Sequence, residues 1–298
     1  MPRSPGSNLA ARLRARHHRR TVTDAARIIP IASVPNLRDV GGLVTADGRP
    51  VRTGLLFRSA ALDGLDGADE VAFARLGVRT IFDFRTEAER AERPDRVPTG
   101  ARHVVADVLQ DMASNKPGQI METMRNPATA RQAFGDGKGA AMFVDQYRNF
   151  VRLDSARRAF GRAFTSVSDE LSRPVLIHCT GGKDRTGWAA AALQLMLGVP
   201  SELVMADYLA SNQHLRPGFE SLFADFEASG GDAEILGSFL WVSPEYLEAA
   251  LDEMRRTFGT VDRYFADGLG LGDDGLEDLR ATFLAVGSAP EERVSDAR

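Results

Sequence analysis

Val175-Leu176-Ile177-His178-Cys179-Thr180-Gly181-Gly182-Lys183-Asp184-Arg185-Thr186-Gly187 runs from an uncharged apolar segment, through a cysteine and two glycines, into a lysine, an aspartate and an arginine. The apolar segment, with Pro174 before it, predicts a short strand over 174–178 buried on both faces. Residues 188–197 are apolar nearly all round and predict a core helix, ended by Gly198-Val199-Pro200. A strand–loop–helix junction of this kind is where α/β folds expose functional groups. The glycines let the backbone curl so that successive N–H groups face one concavity, and the helix aims its positive end at the same place. A thiol at the lip of such a nest ionises far more readily than one in water. Arg185 offers a planar two-point clamp for two oxygens of an anion. Nucleophile, anion nest and clamp together point to phosphoryl transfer onto Cys179 followed by hydrolysis. The bland alternative is a structural cysteine before a glycine turn.

Working outward, strands are expected at 55–59, 78–84 and 103–108, and 44–52 reads as a hairpin turning at Ala46-Asp47-Gly48. Helical spacing predicts 68–76 with Val71, Ala72 and Leu76 on the apolar side, stopped by Gly77. It also predicts 142–151 (Phe143, Tyr147, Phe150, Val151) and 155–167 (Phe160, Phe164, Val167). Further helices are expected at 201–211, 244–257, 261–265 and 275–284. Strands alternating with helices, then a helical C-terminal third, predict an α/β fold with a mainly parallel central sheet flanked by helices.

Composition narrows the function. The 298 residues carry 37 basic and 41 acidic side chains, a net charge of -4, which argues against a nucleic-acid binder. The longest apolar stretch, 188–197, is far too short to span a membrane. Cys179 is the single cysteine, so an intramolecular disulfide, a Cys-x-x-Cys redox pair and a cysteine-cluster zinc site are all excluded. Five histidines, two of them near the N-terminus, give no dense ligand cluster along the sequence, so neither metal nor cofactor is expected. Residues 1–27 hold seven arginines against one acid. They read as a solvated basic arm, with contact to an anionic surface as the functional alternative. No apolar run follows Arg19-Arg20, so a cytoplasmic protein is expected, with export lacking a signal peptide the open alternative. The domain is expected over 28–287 and a polar tail over 288–298.

His178-Cys179-x5-Arg185-Thr186 resembles the phosphate loop of the cysteine-dependent protein tyrosine phosphatase superfamily. The full His-Cys-Thr-Gly-Gly-Lys-Asp-Arg-Thr-Gly form is most similar to a bacterial branch, the mycobacterial protein tyrosine phosphatase B-like family, which includes a phosphoinositide phosphatase. Asn36-Leu37-Arg38-Asp39-Val40-Gly41-Gly42, Phe57-Arg58-Ser59 and Asp83-Phe84-Arg85-Thr86-x-x-Glu89 resemble further blocks of that branch. So do Asp207-Tyr208-Leu209-x-Ser211-Asn212 and Pro244-Glu245-Tyr246-Leu247, and the likeness spans about 30–285.

The resemblance implies a tyrosine phosphatase-like fold and roles for single residues. Cys179 would be the nucleophile and Arg185 the clamp, with the amides of Thr180, Gly181, Gly182, Lys183, Asp184 and Arg185 completing the cradle. His178 would orient the loop, and Thr186 would donate to the departing sulfur, with capping of the helix as its other role. For the general acid the resemblance implies Asp184, while Asp83 and Asp107, each near a strand end, are the alternatives. Lys183 would serve extra phosphates on an inositol ring. Arg38, Arg58 and Arg85 would make structural ion pairs first. In the branch, helices near 113–139 form a lid. The expected activity is a phosphomonoesterase acting on phosphotyrosine, with phosphoserine/threonine and phosphoinositides as further substrates. A phytase-like inositol phosphate phosphatase and a phosphate-binding pseudophosphatase are the alternatives. A rhodanese-like sulfur transferase is disfavoured, since such loops place four residues, not five, between cysteine and arginine.

Overall fold

A computed structural model describes residues 27–112, 120, 123, 124 and 126–284. Five strands, β1 (Arg38–Asp39), β2 (Leu56–Ser59), β3 (Thr80–Asp83), β4 (Arg102–Val105) and β5 (Val175–His178), form one sheet in the order β1-β2-β5-β3-β4. Only β1 is antiparallel to its neighbour. The uncharged run before Cys179 is therefore central, as its composition requires: every residue of β5 is buried. Register places Ser59, His178 and Asp83 in one row at the carboxyl ends of β2, β5 and β3. The loop after His178 leaves the sheet from that edge.

Alternation along the strands divides two cores. Leu56, Phe82, Val175 and Ile177 face the larger one, against helices α4 (Lys138–Arg152), α5 (Asp154–Ser168), α6 (Arg185–Met196), α9 (Pro244–Phe258) and α11 (Gly272–Phe283). Phe57, Ile81 and Leu176 face a thinner layer with Leu62 and Phe73, the latter on α1 (Gly67–Ala74). The predicted apolar side of that helix is corrected here. Phe73 is its buried residue, Ala72 and Leu76 pack beside it, and Val71 is 59% exposed. A helix covering a thin layer needs only a narrow apolar stripe.

The predicted faces of α4 and α5 are buried except at Phe143, which is partly buried, and Phe160 meets Phe84 edge-on with centroids 5.2 Å apart. Truncating a phenylalanine packed this way costs about 3–5 kcal/mol. Two further helices, α2 (Glu87–Glu92) and α8 (Ala233–Leu240), fall where no helix is expected, whereas α3 (Pro127–Phe134) lies within 113–139, where the resemblance implies helices. The helix expected over 201–211 is α7 (Ser201–Ala228), which continues past Pro217. A proline removes one backbone donor; here the helix is anchored by buried Leu215 before it and Phe226 after it. The segment Val261–Arg263 (α10) passes into a π-turn, Tyr264–Gly268, before α11.

The lid expected over 113–139 lies partly outside the described residues. In the part described, Met124 is buried against Phe226, Ile235 and Leu236, with Phe134 of α3 against Phe239 of α8. The basic arm and the polar tail also lie outside, except Arg27. That residue is buried and ion-paired with Asp207, so it belongs to the fold and not to a solvated arm. Among the described residues, no helix is long and apolar enough to cross a membrane.

Candidate active site

Cys179 directly follows β5 and is buried at the base of the 180–184 loop. The loop's carbonyls are tied outward. Thr180 O accepts from Ala61 N at 3.2 Å, and Gly182 O accepts from Arg58 Nη2 at 2.7 Å. The Asn36 side-chain amide donates to both Gly181 O and Gly182 O at 3.0 Å. Among the described residues, no acceptor meets the amide N–H groups of residues 180–185. With carbonyls turned out and amides left over, the loop is a row of donors closed by the N-terminus of α6, an arrangement that takes an anion. The two glycines are not equivalent. Gly182 has φ +64°, and a Cβ there would lie 2.1 Å from Ser59 O, whereas a Cβ on Gly181 would meet nothing nearer than 3.6 Å.

Arg185 is oriented by Glu89. Its Nη1 and Nη2 donate to Glu89 Oε2 and Oε1 at 2.7 Å each, and Nη1 also reaches Phe84 O at 3.3 Å. Three of the five guanidinium donors are thereby used. The Nε–H and one Nη2–H remain on the same edge of the plane, a fork matched to two phosphate oxygens. Glu89 is fixed in turn by Thr86, whose N and Oγ1 donate to Oε2 at 2.9 Å in a capping box at the start of α2, and by Thr180 Oγ1 at 2.5 Å. Burial would raise the Glu89 carboxyl, but Arg185 outweighs it and holds the group well below the usual carboxylate range.

Asp184 stands at the cap position of α6 without capping it. Its Oδ1 accepts from Tyr147 Oη at 3.0 Å, and Lys183 Nζ lies 3.0 and 2.8 Å from its two oxygens. The Lys183 ammonium also sits over the Phe143 ring, 5.3 Å from the centroid. Thr186 is fully buried, and its hydroxyl makes no hydrogen bond among the described residues, so it caps nothing and remains available to a nearby group.

Beneath the loop, Arg27, Arg38 and Arg58 converge on Asp207 at 2.5, 3.3 and 3.3 Å. Burial and the neighbouring Arg38 pull Arg58 down to about 9, against the opposing effect of Asp207. Asn36, which grips two loop carbonyls, is buried at φ +60° and accepts from Arg38 through Oδ1. Strain of this kind in a non-glycine residue persists where the surroundings impose it.

On the other side, His178 Nδ1 lies 3.4 Å from Cys179 O and Nε2 lies 3.2 Å from Asp95 Oδ2. Asp83 is fully buried, with Arg85 Nε on Oδ1 at 2.9 Å and Nη2 on Oδ2 at 2.8 Å. Asp107, in the loop after β4, accepts from Leu109 N at 2.9 Å; burial raises its carboxyl against the field of Arg185. The sequence offered no dense ligand cluster, yet the fold gathers Asp83, Asp95, His103 and His178 with one potential ligand atom each within 4.8 Å. The Arg85 guanidinium already stands among them, 2.8 Å from Asp83 Oδ2 and 2.6 Å from Asp95 Oδ2, and supplies the cation these carboxylates need.

The structure thus places His178 at the end of β5, Cys179, Lys183 and Asp184 in the turn after it, and Arg185 and Thr186 at the start of α6, and leaves Asp83 in an ion pair beside them. It adds Glu89, Asn36, Tyr147, Tyr208, Asp95 and Asp207, most of which stood in motif blocks that gave no hint of what they touch.

Residues 29–285 match the model of a tyrosine phosphatase family. The chain is 30% identical over 273 residues to the triple specificity protein phosphatase PtpB of Mycobacterium tuberculosis, covering 84% of this chain and 96% of that one. It is 32% identical over 256 residues to a Cupriavidus necator protein provisionally named a tyrosine-protein phosphatase, covering 85% of this chain and 87% of the relative. Among solved structures, P. aeruginosa TpbA aligns over 67% of this chain and 86% of its own, at 19% identity and a TM-score of 0.24, too weak a likeness to argue from. With the match running from before β1 to the end of α11, the chain belongs to the tyrosine phosphatase family.

Proposed function

We propose that the protein is a metal-independent phosphomonoesterase that hydrolyses phosphotyrosine through a cysteinyl-phosphate, with phosphoserine/threonine and phosphoinositides as further substrates. The observation that carries this reading is the unmet row of amide donors at 180–185 above Cys179, beside the two remaining N–H groups of Arg185.

In the first step the Cys179 thiolate attacks phosphorus and the bond to the leaving oxygen breaks, while Asp184 delivers a proton to that oxygen. The amides and the Arg185 fork hold the phosphoryl oxygens as charge redistributes. In the second step water attacks the phosphocysteine, Asp184 takes its proton, and sulfur departs as thiolate, helped by the unpartnered Thr186 hydroxyl. Inorganic phosphate is released. Lys183, buried against Phe143 and paired with Asp184, supplies a second cation beside the loop for a second phosphate or an acidic substrate. Asp107 is the second reading for the acid, favoured by its raised carboxyl near Arg185.

The test is phosphate release from phosphopeptides and phosphoinositides, with and without EDTA, by the wild type and Cys179→Ser. The expected result is turnover indifferent to EDTA, inhibited competitively by vanadate, and lowered at least about a thousandfold in the variant. Activity lost on chelation and restored by a divalent metal would remove the cysteine mechanism.

A further inference from the structure

Helix α4 touches the phosphate loop with two side chains one turn apart, and each meets a different charged residue of the loop. Phe143 lies under the Lys183 ammonium, and Tyr147, four residues on, donates to Asp184 Oδ1 at 3.0 Å. Residues at i and i+4 share one face of a helix, so a single rigid element reaches both.

The Tyr147 hydroxyl also accepts from Tyr208 Oη of α7 at 2.7 Å. A phenol has one proton to give. With its acceptor side taken by Tyr208, that proton is committed to Asp184. Both phenols are fully buried, and burial, with the Asp184 charge adding to it, raises each well above its ordinary value, so both stay protonated donors. The Tyr147 ring is buried and packed by Phe150 at 4.9 Å, Tyr246 at 5.7 Å and Tyr208 at 6.2 Å between centroids.

The two partners of Asp184 differ in kind. Tyr147 holds Oδ1 from a packed ring. Lys183, also buried, reaches both oxygens through an ammonium on a four-carbon stem, a point charge that favours neither oxygen. A carboxyl anchored at one oxygen by a rigid donor presents the other in a fixed direction.

We propose that Tyr147, held by Tyr208, is a positioning residue that fixes Asp184 through Oδ1, so that Oδ2 carries the proton delivered to the leaving oxygen. The inference rests on the reading of Asp184 as the acid. As the phosphorus–oxygen bond breaks, the proton passes from Oδ2 to the leaving oxygen, and the carboxylate left behind keeps the Tyr147 hydrogen bond. In the second step Oδ2 takes a proton back from the attacking water.

The experiment compares kcat and KM for 4-nitrophenyl phosphate and for a phosphoserine peptide. The proteins are the full-length wild type, Tyr147→Phe, Tyr208→Phe, Asp184→Asn and the Tyr147→Phe/Asp184→Asn double variant. Each phenylalanine keeps its ring and its packing. Since a positioned acid is worth about 10²–10⁴ in rate, Tyr147→Phe should lower kcat on the peptide about 10–30-fold with KM held, and on the aryl ester less than about threefold. Tyr208→Phe should act in the same direction at about threefold on the peptide, because Tyr147 then keeps its donor but loses its tether. In the Asp184→Asn background, Tyr147→Phe should add nothing, the mark of a residue acting through Asp184. Equal losses on both esters, or an undiminished loss in that background, would overturn the positioning role. If Asp184→Asn itself slowed both esters alike, the acid assignment would pass to Asp107 and this inference would fall with it.

Discussion

Glu89 and Arg185 meet end-on through two hydrogen bonds of 2.7 Å, which sets the plane of the guanidinium and leaves its Nε edge toward the loop. On the proposed function Glu89 orients Arg185 and does not compete with the anion, because the edge it occupies is not the edge a phosphate needs. Glu89→Gln keeps the size of the side chain but replaces one acceptor with a donor that faces Arg185. We expect kcat/KM to fall by about 10–100-fold with vanadate inhibition weakened in parallel, since clamp geometry serves ground state and transition state alike. Unchanged vanadate affinity would mean that Arg185 orients itself. Arg185→Lys should be more severe than Glu89→Gln, because an ammonium offers no planar fork.

The two loop glycines should separate cleanly on substitution. Gly182→Ala places a Cβ 2.1 Å from Ser59 O and 2.7 Å from Ala60 N, both backbone atoms, at a positive φ. It should cost at least about 2 kcal/mol of stability and abolish phosphate binding. Gly181→Ala meets only the Lys183 stem at 3.6 Å and Leu215 at 3.7 Å, and should stay within about 1 kcal/mol of the wild type with activity largely retained. Thermal unfolding and vanadate inhibition of the two variants check both halves; similar behaviour would contradict the loop geometry.

The sequence treats these glycines as a pair, and the reason shows what was legible. Strand β5, the turn and α6 follow one another in the chain, and the periodicity and composition of 174–197 carry them without help from elsewhere. What closes the site comes from far off. Glu89 lies 96 residues from Arg185, Asn36 lies 146 from Gly182 and Tyr147 lies 37 from Asp184. Thr86 and Glu89 form a capping box at the start of α2. Nothing local says that the same carboxylate also receives an arginine. The length of α7 is illegible for a related reason: Pro217 is a breaker on local grounds, yet the helix runs on to Ala228 with Phe226 buried beyond it. Likewise, Asp83, Asp95, His103 and His178 form no cluster along the chain and one cluster in space.

That cluster should be visible in stability against pH. The carboxylates of Asp83 and then Asp95, each 3.5 Å from His103 Nε2, raise His103 from 6.5 to about 9, while burial opposes it. A group raised on folding holds its proton in the native state when the unfolded chain has released it. Its stabilisation is therefore complete below about 6.5 and is lost as pH rises through about 9. Asp95 runs the other way. Burial would raise it, but His103, His178 and Arg85 hold it far below its ordinary 3.8, so its contribution is present above that value and disappears in acid. The melting temperature should decline between pH 6.5 and 9, and His103→Gln should flatten that decline; the acid limb should shrink but persist, since His178 and Arg85 still hold Asp95. An unaltered alkaline slope in His103→Gln would show that the histidine is neutral in the fold.

Oxidation offers the last test, because Cys179 is the single thiol of the chain and sits at the base of the anion nest. Attack of the sulfur on peroxide breaks the O–O bond, forms a sulfenic acid and releases water. No second cysteine exists to close an intramolecular disulfide. Recovery must come from an external thiol, through a mixed disulfide and exchange, or be preceded by cyclisation onto a neighbouring backbone nitrogen. Cys179 is 1% exposed, so peroxide must reach it through the same opening as phosphate. Inactivation should therefore be dose-dependent, slowed by inorganic phosphate, and reversed by dithiothreitol when treatment is short. Longer exposure should carry the sulfur to sulfinic and sulfonic acids, beyond thiol rescue. Mass spectrometry of the Cys179 peptide alongside activity follows each stage. Oxidation at a rate indifferent to saturating phosphate would place the sulfur outside the anion site, and the row of donors at 180–185 would then have to serve something other than the cysteine beneath it.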